Sequence, residues 1–500
     1  MDKVTNVQLI KFESNVQLIK YQVLKEVAKL AFEGALKENY HEIPKKIIPG
    51  PKPITRCCIY HEREVVKERV RMAMGGNREN KNNIEVLEAA CDKCPVQRYV
   101  VTEACRGCLA HKCEEACPFG AISVVDHKAR INWDICKECG KCKDACPYNA
   151  IVDVLRPCMK ACNVGALSMD EEGKARIDDS KCIQCGSCVY SCPFGAIEDK
   201  SYIVDTIELI KKAKSDKFNA YAIIAPAISS QFTFATIGQV VTAIKKLGFH
   251  DVVEAALGAD IVTENETKEF AENVNSKGFI TSSCCPAFVA YINKNYPELM
   301  DNVSTSVSPM IATARLIKSL ESNARIVFIG PCIAKKMEAQ QDDIKDEVDY
   351  VLTFEELLAL LDAADIQVND CEESVLDNAS LFGRIFARSG GLTEAIKEVI
   401  EEKNIDIEYN PVTCNGIKEC DIALKMAKVK RLKGNFIEGM ACVGGCIGGP
   451  GVLQHHGPKN KKAVDEYGKM AKEHKIEDVT KIFDTSSIRL HRNFDKAFKK

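Results

Sequence analysis

The sequence predicts a multidomain α/β protein with a helical N-terminal region, two nested cysteine-rich modules and a two-lobed α/β C-terminal domain. Its 500 residues suffice for about three domains. Of the 26 cysteines, 18 lie between Cys57 and Cys192, and the other eight follow residue 283. From residue 201 onward, short apolar runs alternate with helical periodicity, which is typical of parallel sheets covered by helices. The expected domain boundaries are therefore 1–85, 86–200 and 201–500.

Composition and charge argue against several classes of protein. The 68 Lys and Arg nearly balance the 71 Asp and Glu, and a net charge of -3 does not favour nucleic-acid binding. Apolar stretches fall short of the ~20 residues that cross a bilayer, so we expect no membrane segment. The N-terminus lacks an apolar signal core with a cleavage site, which predicts a cytoplasmic protein. In a reducing compartment, so many thiols indicate metal ligation or redox chemistry rather than disulfides.

The N-terminal region is predicted to be mostly helical, and its role stays open. It contains a local duplication, in which NVQLIK at Asn6 recurs at Asn15. Cys57 and Cys58 are adjacent, and two adjacent side chains rarely reach one metal. We therefore leave both thiols unassigned.

One phrase recurs four times in the cysteine-rich region: CPFGAI at Cys117, CPYNAI at Cys146, CNVGAL at Cys162 and CPFGAI at Cys192. It ends the C-x2-C-x2-C-x3-C-P run that holds 4Fe-4S cubanes in bacterial ferredoxins, where the fourth thiol binds the neighbouring cluster. The first two runs, of which the earlier has two extra residues, predict one ferredoxin-like module. Its expected ligand sets are Cys105, Cys108, Cys113 with Cys146, and Cys136, Cys139, Cys142 with Cys117.

The second module is predicted to be interrupted by the first. Upstream of its complete run only Cys158 and Cys162 remain, so we assign the two missing positions to Cys91 and Cys94. The spacings agree, since 29 residues separate Cys117 from Cys146 and 30 separate Cys162 from Cys192. Structural zinc is the alternative for C-x2-C pairs, but the repeated tail disfavours it. The expected sets are Cys91, Cys94, Cys158 with Cys192, and Cys182, Cys185, Cys188 with Cys162.

The C-terminal domain carries a second kind of thiol site. The buried strand predicted at 326–329 delivers Cys332 to the sheet edge where α/β folds place their sites. Cys284 and Cys285 precede a predicted helix whose N-terminus stabilises a thiolate. A glycine-rich turn carries two more cysteines, and we expect its missing side chains to let the backbone approach a bulky cofactor. Four thiols, Cys285, Cys332, Cys442 and Cys446, would then bind a fifth cubane, with Cys284 and the cation of Lys335 beside it.

Three segments of this domain, TSSCCPAF, GPCIAKKME and EGMACVGGCIGGPG, resemble the FeFe hydrogenase motifs TSCCPxW, MPCxxKxxE and ExMACxxGCxxGGGxP, in the same order. The resemblance covers about residues 200–450, and the ferredoxin-rich front extends it to about Cys91. It implies an H-cluster, a cubane bridged by a cysteine to a di-iron centre with CO, cyanide and azadithiolate, where dihydrogen is split or made. It also implies a soluble ferredoxin as electron partner and maturation proteins that build the di-iron centre.

The resemblance assigns roles residue by residue. Cys285, Cys332, Cys442 and Cys446 would bind the cubane, with Cys446 as the bridge. Cys284 would pass protons, and Lys335 would hydrogen-bond a cyanide. Glu338 would complete its motif, while Met440, Ala225 and Pro226 would line the cofactor. Glu266, Glu269 and Ser304 are the candidates for a proton relay, against the alternative that these glutamates lie on a solvated helix face.

The departures from the motifs are Gly330, Phe288 and the GGPGV ending, which change the pocket wall but no ligand and indicate a divergent subgroup. Cys371, Cys414 and Cys420 match no motif and are interpreted as small buried hydrophobes. His455 and His456 are expected at the surface. Two other functions stay open: a non-catalytic iron-sulfur assembly protein without the di-iron centre, and a redox or dihydrogen sensor.

Overall fold

The computed structural model describes residues 6–55, 58–215, 218–485 and 488–498. The N-terminal region is helical, as predicted. Ser14 caps its first long helix, since its hydroxyl accepts the Gln17 N–H, and Gly34 ends that helix at φ 76°. Cys57 lies outside the described residues, and Cys58 is exposed at the start of the last helix. The helices are α1 (Asn15–Glu33), α2 (Leu36–Asn39), α3 (Ile43–Ile47) and α4 (Ile59–Ala73).

The cysteine-rich region forms two modules from four antiparallel strand pairs, β1–β8, β2–β5, β3–β4 and β6–β7. The strands are β1 (Ile84–Val86), β2 (Tyr99–Val101), β3 (Ile122–Val125), β4 (Lys128–Ile131), β5 (Ile151–Asp153), β6 (Leu167–Met169), β7 (Ala175–Ile177) and β8 (Ile197–Asp199). The helices are α5 (Lys112–Glu115), α6 (Lys141–Ala145), α7 (Pro157–Ala161) and α8 (Ser187–Ser191).

The strand pairs show the predicted nesting. Strands β2 to β5 lie in the chain between β1 and β6, so the first module is inserted into the second. The region begins at Ile84, two residues before the expected boundary, because β1 pairs with β8 across the whole region. This pairing ties the two ends of the split module together.

The C-terminal domain has two parallel sheets, which confirms the two-lobed α/β prediction. One sheet has the order β10-β9-β12-β13, and the other β11-β15-β14. Central strands such as β12 are buried on both faces, as expected where helices cover a parallel sheet. The strands are β9 (Ala220–Ile224), β10 (Asp251–Glu254), β11 (Ile280–Thr281), β12 (Arg325–Ile329), β13 (Tyr350–Leu352), β14 (Pro411–Asn415) and β15 (Phe436–Met440).

Thirteen helices in the described ranges accompany these sheets. They are α9 (Ile203–Ser215), α10 (Ile237–Leu247), α11 (Ala255–Lys277), α12 (Pro286–Asn295), α13 (Pro309–Leu320), α14 (Ala334–Glu338), α15 (Phe354–Ala363), α16 (Leu381–Ile385), α17 (Gly391–Glu402), α18 (Ile417–Lys428), α19 (Pro458–Lys469), α20 (Ile476–Thr480) and α21 (Phe494–Ala497). Among the described helices, none has the length and apolarity to cross a bilayer.

Buried ion pairs join the three regions around Asp199. Helix α1 packs on α15, and Lys20 Nζ lies 2.8 Å from carboxylate oxygens of both Asp199 and Glu355. Lys336, which is fully buried, binds Asp199 at 2.8 Å and Glu356 at 3.0 Å. Each buried charge therefore has a partner, and the partners come from different regions of the chain.

Candidate active site

A cavity of about 70 Å³ lies where the two sheets of the C-terminal domain meet. It receives the segments that follow β9 and β12 of one sheet and β11 and β15 of the other, as expected for the carboxyl ends of parallel strands. Its wall includes the predicted residues Ala225, Pro226, Cys284, Cys285, Cys332, Lys335, Met440 and Cys446. Residues distant in sequence thus share one enclosed and largely apolar space.

Three of the four thiols predicted as cubane ligands, Cys285, Cys332 and Cys446, line this cavity. Cys285 is the N-cap of α12, Cys332 follows β12, and Cys446 opens a short 3₁₀ turn. Cys442 lies beside the cavity wall, where the charges of Cys332 and Cys285 act on its thiol. Burial raises the pKa of Cys446 to about 11 and that of Cys442 well above its usual range. Neutral thiols clustered in this way lose their protons when they bind metal, and the donor set fits an iron-sulfur cubane.

Two glycines of the glycine-rich turn lie against other parts of the chain. Gly445 lies at φ 80°, and a Cβ there would come within 2.6 Å of the Ser389 nitrogen. A Cβ at Gly449 would collide with the carbonyl oxygen of Pro331. These two glycines therefore allow close packing of the protein's own backbone.

Lys335 is a buried cation with a defined partner. Its ammonium donates to Glu338 Oε2 at 2.6 Å and to the Cys284 carbonyl at 3.3 Å. Burial alone would lower the pKa of Lys335, but the Glu338 carboxylate outweighs this and raises it. Glu338 also accepts from Ser308 and, through Oε1, from Arg492 at 3.3 Å. The ammonium therefore stays charged and fixed in a dry wall of the cavity.

The candidate proton relay lies behind Cys284. Glu266 is fully buried, and within the described residues neither carboxylate oxygen has a hydrogen bond of good geometry, although Ser304 and the Ser283 backbone lie near enough to lower its pKa. Burial raises the pKa of Glu266 to about 8, and the charge of Glu269 adds to this shift. Ser304 donates to Glu269 Oε2 at 2.7 Å. Since both glutamates are buried, the alternative of a solvated helix face is wrong.

The side chain of Cys284 also belongs to this buried chain of polar groups. Burial raises the pKa of the Cys284 thiol well above its usual range, and the charge of Glu266 raises it further. The thiol lines the cavity on one side and lies close to Glu266 on the other. It therefore occupies the position expected of a proton carrier between the relay and the cavity.

The motif departures are accommodated by neighbouring side chains. A Cβ at Gly330 would lie 2.6 Å from Phe328 Cε1 and 3.1 Å from the Ala225 methyl, so these residues take the space of the expected methionine. Phe288 is fully buried and packs on Gly439, which has no side chain to oppose it. The departures from the motifs therefore change side chains of the pocket wall and leave the thiols in place.

Charge interactions between cysteines of the nested modules follow the predicted crossed pattern. In each predicted group the charge of a thiol from one run acts on a thiol of the other: Cys146 on Cys113, Cys117 on Cys142, Cys192 on Cys158 and Cys162 on Cys188. The fourth thiol of each run accepts the N–H of the alanine four residues later, as in Cys117 from Ala121 and Cys192 from Ala196, both at 3.2 Å. Such N–H···S bonds tune iron-sulfur clusters.

The split run is visible in matching hydrogen bonds. Cys105 Sγ accepts from the Ala129 N–H at 3.4 Å in the first module, and Cys91 Sγ accepts from Ala175 at 3.3 Å in the second. Ala129 and Ala175 occupy corresponding strands of the two hairpins. Cys91 therefore takes the first position of the interrupted run.

One of the four groups adjoins the cavity. The charge of Cys285 acts on the half-buried Cys185 thiol, and the charge of Cys185 acts on Cys442. Gly186 permits this approach, since a Cβ there would lie 2.6 Å from Pro450 Cγ. The group of Cys182, Cys185, Cys188 and Cys162 is thus next to the site in the C-terminal domain.

The remaining cysteines and histidines agree with their expected environments. Cys371, Cys414 and Cys420 are buried outside the thiol groups. His456 is exposed, and His455 pairs with Glu13 at 2.9 Å. The residues that sequence reasoning missed are Thr305, His491 and Arg492, which carry no motif.

Comparison with known proteins places this site in a family. Residues 218–450 match the family described as iron only hydrogenase large subunit, C-terminal domain. Residues 218–450 therefore carry a domain like that of the iron-only hydrogenase large subunit. Residues 156–196 match a 4Fe-4S dicluster domain, and residues 129–152 match a 4Fe-4S binding domain. The iron-only hydrogenase domain and the iron-sulfur modules in front of it confirm the resemblance stated above.

Several proteins are similar to this chain. Iron hydrogenase 1 of Clostridium pasteurianum is 32% identical over 46% of this chain and 47% of its own length, so the match spans about half of that relative. The periplasmic Fe hydrogenase large subunit of Nitratidesulfovibrio vulgaris is 29% identical over 49% of this chain and 73% of its own. The cytosolic Fe-S cluster assembly factor narfl of Danio rerio is 24% identical, over 44% and 67%. A solved FeFe-hydrogenase of Chlamydomonas reinhardtii aligns with TM-score 0.47 and 18% identity, covering 56% of this chain and 93% of that one.

Proposed function

We propose that this protein catalyses the reversible reduction of protons to dihydrogen at an H-cluster. One observation carries the proposal: Cys284, Lys335 and Met440 line the same cavity as Cys285, Cys332 and Cys446. A plain cubane needs only ligands. A free thiol, a buried ammonium and a thioether beside them fit a second, catalytic half of the cofactor.

The protein's contribution is binding, orientation and the exclusion of water. Cys285, Cys332, Cys442 and Cys446 would hold the cubane, with Cys446 as the thiol shared with the di-iron centre. The fixed ammonium of Lys335 would offer a hydrogen bond to a cyanide ligand, and in a dry site such a bond is strong. When bound, the H-cluster supplies a Lewis-acidic iron and a pendant base for heterolysis of dihydrogen. Ala225, Pro226 and Met440 keep its surroundings apolar.

Protons reach the site through the protein's own side chains. Cys284 carries the proton at its Sγ next to the cavity, and Glu266 supplies it from behind. Glu269 and Ser304, joined at 2.7 Å, continue the relay away from the cavity. Glu266 can exchange protons near neutral pH because its pKa of about 8 lies close to the working range.

Electrons arrive separately, through four 4Fe-4S clusters in the nested modules. The cubane of Cys182, Cys185, Cys188 and Cys162 is the last station, since Cys185 adjoins Cys285 and Cys442. A soluble ferredoxin in the cytoplasm exchanges electrons with the outer clusters, and maturation proteins install the di-iron centre.

Infrared spectroscopy of protein matured under anaerobic conditions tests the proposal. We expect CO and cyanide bands, with hydrogen evolution from a reduced electron donor, and neither in a matched Cys332→Ala sample. Absence of the bands in the native chain, with the cubanes intact, would overturn the catalytic proposal. It would favour a role like that named for the Danio rerio relative, an assembly factor. Iron analysis of the same sample counts the cubanes.

A further inference from the structure

We propose that His491, acting through Thr305, is the surface end of the proton relay that leads to Glu269. This inference rests on the proposed function and extends the relay beyond Glu269. His491 Nδ1 lies 2.7 Å from Thr305 Oγ1, and that hydroxyl lies 3.1 Å from Glu269 Oε1. An exposed imidazole is thus connected to a buried carboxylate by a single hydroxyl.

The chain of groups runs from solvent to the interior in order of burial. His491 is exposed, Thr305 is half-buried, and Glu269 and Glu266 are buried. A hydroxyl can donate one hydrogen bond while it accepts another, which is what a proton-passing group must do. Imidazole is the side chain that gains and loses a proton near neutral pH. These properties suit proton uptake from water at His491.

Backbone pairing fixes the geometry of the two residues. The C-terminal segment pairs with the segment after Ser304, through an antiparallel bridge between Ser306 and His491. The Arg492 N–H donates to the Thr305 carbonyl at 2.9 Å. The Arg492 guanidinium, held by Asp343 at 3.0 Å, anchors the segment from the inner side. His491 is therefore held against Thr305 by both flanking contacts, unlike a histidine on a free terminus.

Each transfer moves one proton and no electrons. The Nδ1–H bond of the His491 imidazolium breaks as that proton binds Thr305 Oγ1. The hydroxyl proton of Thr305 passes to Glu269 Oε1, and bulk water then restores the proton on the imidazole. Ser304, which donates to the other oxygen of Glu269, lies on the inner side of the relay.

Glu269 has a second neighbour that offers an alternative route. Ser306 Oγ lies 3.3 Å from Glu269 Oε2 and accepts from Asn265 Nδ2 at 2.8 Å. An amide nitrogen does not take up and release protons near neutral pH, so this branch lacks an acid-base group at its outer end. The geometry thus favours the branch through Thr305.

Hydrogen-deuterium exchange at the buried Glu266 carboxyl tests the proposal without the di-iron centre. The full chain is mixed with D2O near pH 6.5, the ordinary pKa of an imidazole. Glu266 is then protonated, and stopped-flow infrared spectroscopy follows the shift of its C=O band, identified by its loss in Glu266→Gln. We expect exchange to slow by about ten-fold or more in His491→Ala and in Thr305→Val.

Two comparisons make the result specific. Millimolar imidazole should restore fast exchange in His491→Ala but not in Thr305→Val. The variant His474→Ala removes an exposed histidine between α19 and α20, and it should exchange like the native chain. Native exchange in His491→Ala would overturn the proposal. Slow exchange in His491→Ala that imidazole does not restore would also overturn it, because His491 would then have a structural role. Slow exchange in Ser306→Ala together with a native exchange rate in Thr305→Val would overturn it as well. Because no di-iron centre is needed, these outcomes are independent of whether the chain makes dihydrogen.

Discussion

The two iron-sulfur regions of this molecule are built in different ways. In the nested modules three of the four predicted thiol groups take three members from one short run, and the same strand pair recurs in both modules. In the C-terminal domain the four thiols come from three loops between residues 285 and 446. The first design is repetitive and local, whereas the second depends on the whole fold. Loss of one thiol should therefore cost one relay station in the first region and the entire site in the second.

The two regions also differ in their contact with water. Cys139 of the first module is exposed, and Leu109 and Tyr148 beside its thiol groups are 98% and 55% exposed. In the C-terminal domain, burial raises the pKa of the Cys332 thiol far above its usual range. An exposed cluster can exchange electrons with a partner, and a buried site can exclude solvent from chemistry.

The largest expected effect is that of Cys332→Ala. Removal of one of four ligands from a site assembled by the whole fold should abolish hydrogen turnover and the CO and cyanide bands, while the four outer cubanes remain. Gas chromatography measures the hydrogen turnover, and infrared spectroscopy measures the CO and cyanide bands. Cys371→Ala is the matched control, since Cys371 is buried but lies outside the thiol groups, and it should keep turnover. Substantial turnover in Cys332→Ala would contradict the assigned ligand set.

Cys284→Ser separates proton delivery from cofactor binding. The hydroxyl of serine is a far weaker acid than a thiol, so turnover should fall by about 10²- to 10⁴-fold. The infrared bands should persist, because Cys284 is not a ligand. Normal turnover in this variant would contradict the proposed shuttle role. Loss of the CO and cyanide bands would instead indicate that Cys284 is a ligand.

The sequence predicts the two regions unequally well. Ligand spacing predicts the nesting of the two modules, which the strand pairs show, because a short-range pattern sets the fold there. The cavity ligands are predictable only because three motifs carry them. Thr305 and His491, which are 186 residues apart, meet through an antiparallel bridge that no periodicity indicates. The packing of Gly445 and Gly449 against Ser389 and Pro331 could not be predicted either, because it depends on loops that are distant in sequence.

Glu266→Gln should lower hydrogen turnover and raise the free energy of unfolding. In the native protein burial raises the pKa of Glu266 from 4.5 to about 8, so the folded state holds the proton more tightly than the unfolded chain. Stability contributed by this proton is lost as the pH rises from 4.5 towards 8. A shift of this size corresponds to an upper limit of about 5 kcal/mol.

Unfolding by denaturant at pH 6 and pH 9 measures this effect. The native chain should lose stability between the two values, and Glu266→Gln should lose less of it, since an amide does not ionise. Glu272→Gln, on the exposed part of the same helix, is the control. An equal pH dependence in Glu266→Gln and the native chain would show that this carboxyl ionises freely in the folded state.

The smallest expected effect on turnover is that of Cys158→Ala, which sharpens the contrast between a relay station and a catalytic site. It should remove one cubane of the four and leave the CO and cyanide bands unchanged, because its group does not adjoin Cys285. With a small viologen dye, which can reach inner clusters directly, turnover should change little, whereas turnover with reduced ferredoxin should fall.

Cys162→Ala is the matched comparison, since its group includes Cys185, which does adjoin Cys285. It should reduce turnover with both donors. An unchanged iron content in Cys158→Ala would show that this thiol is not a ligand, and the split-run assignment would then fail even though the strands are nested.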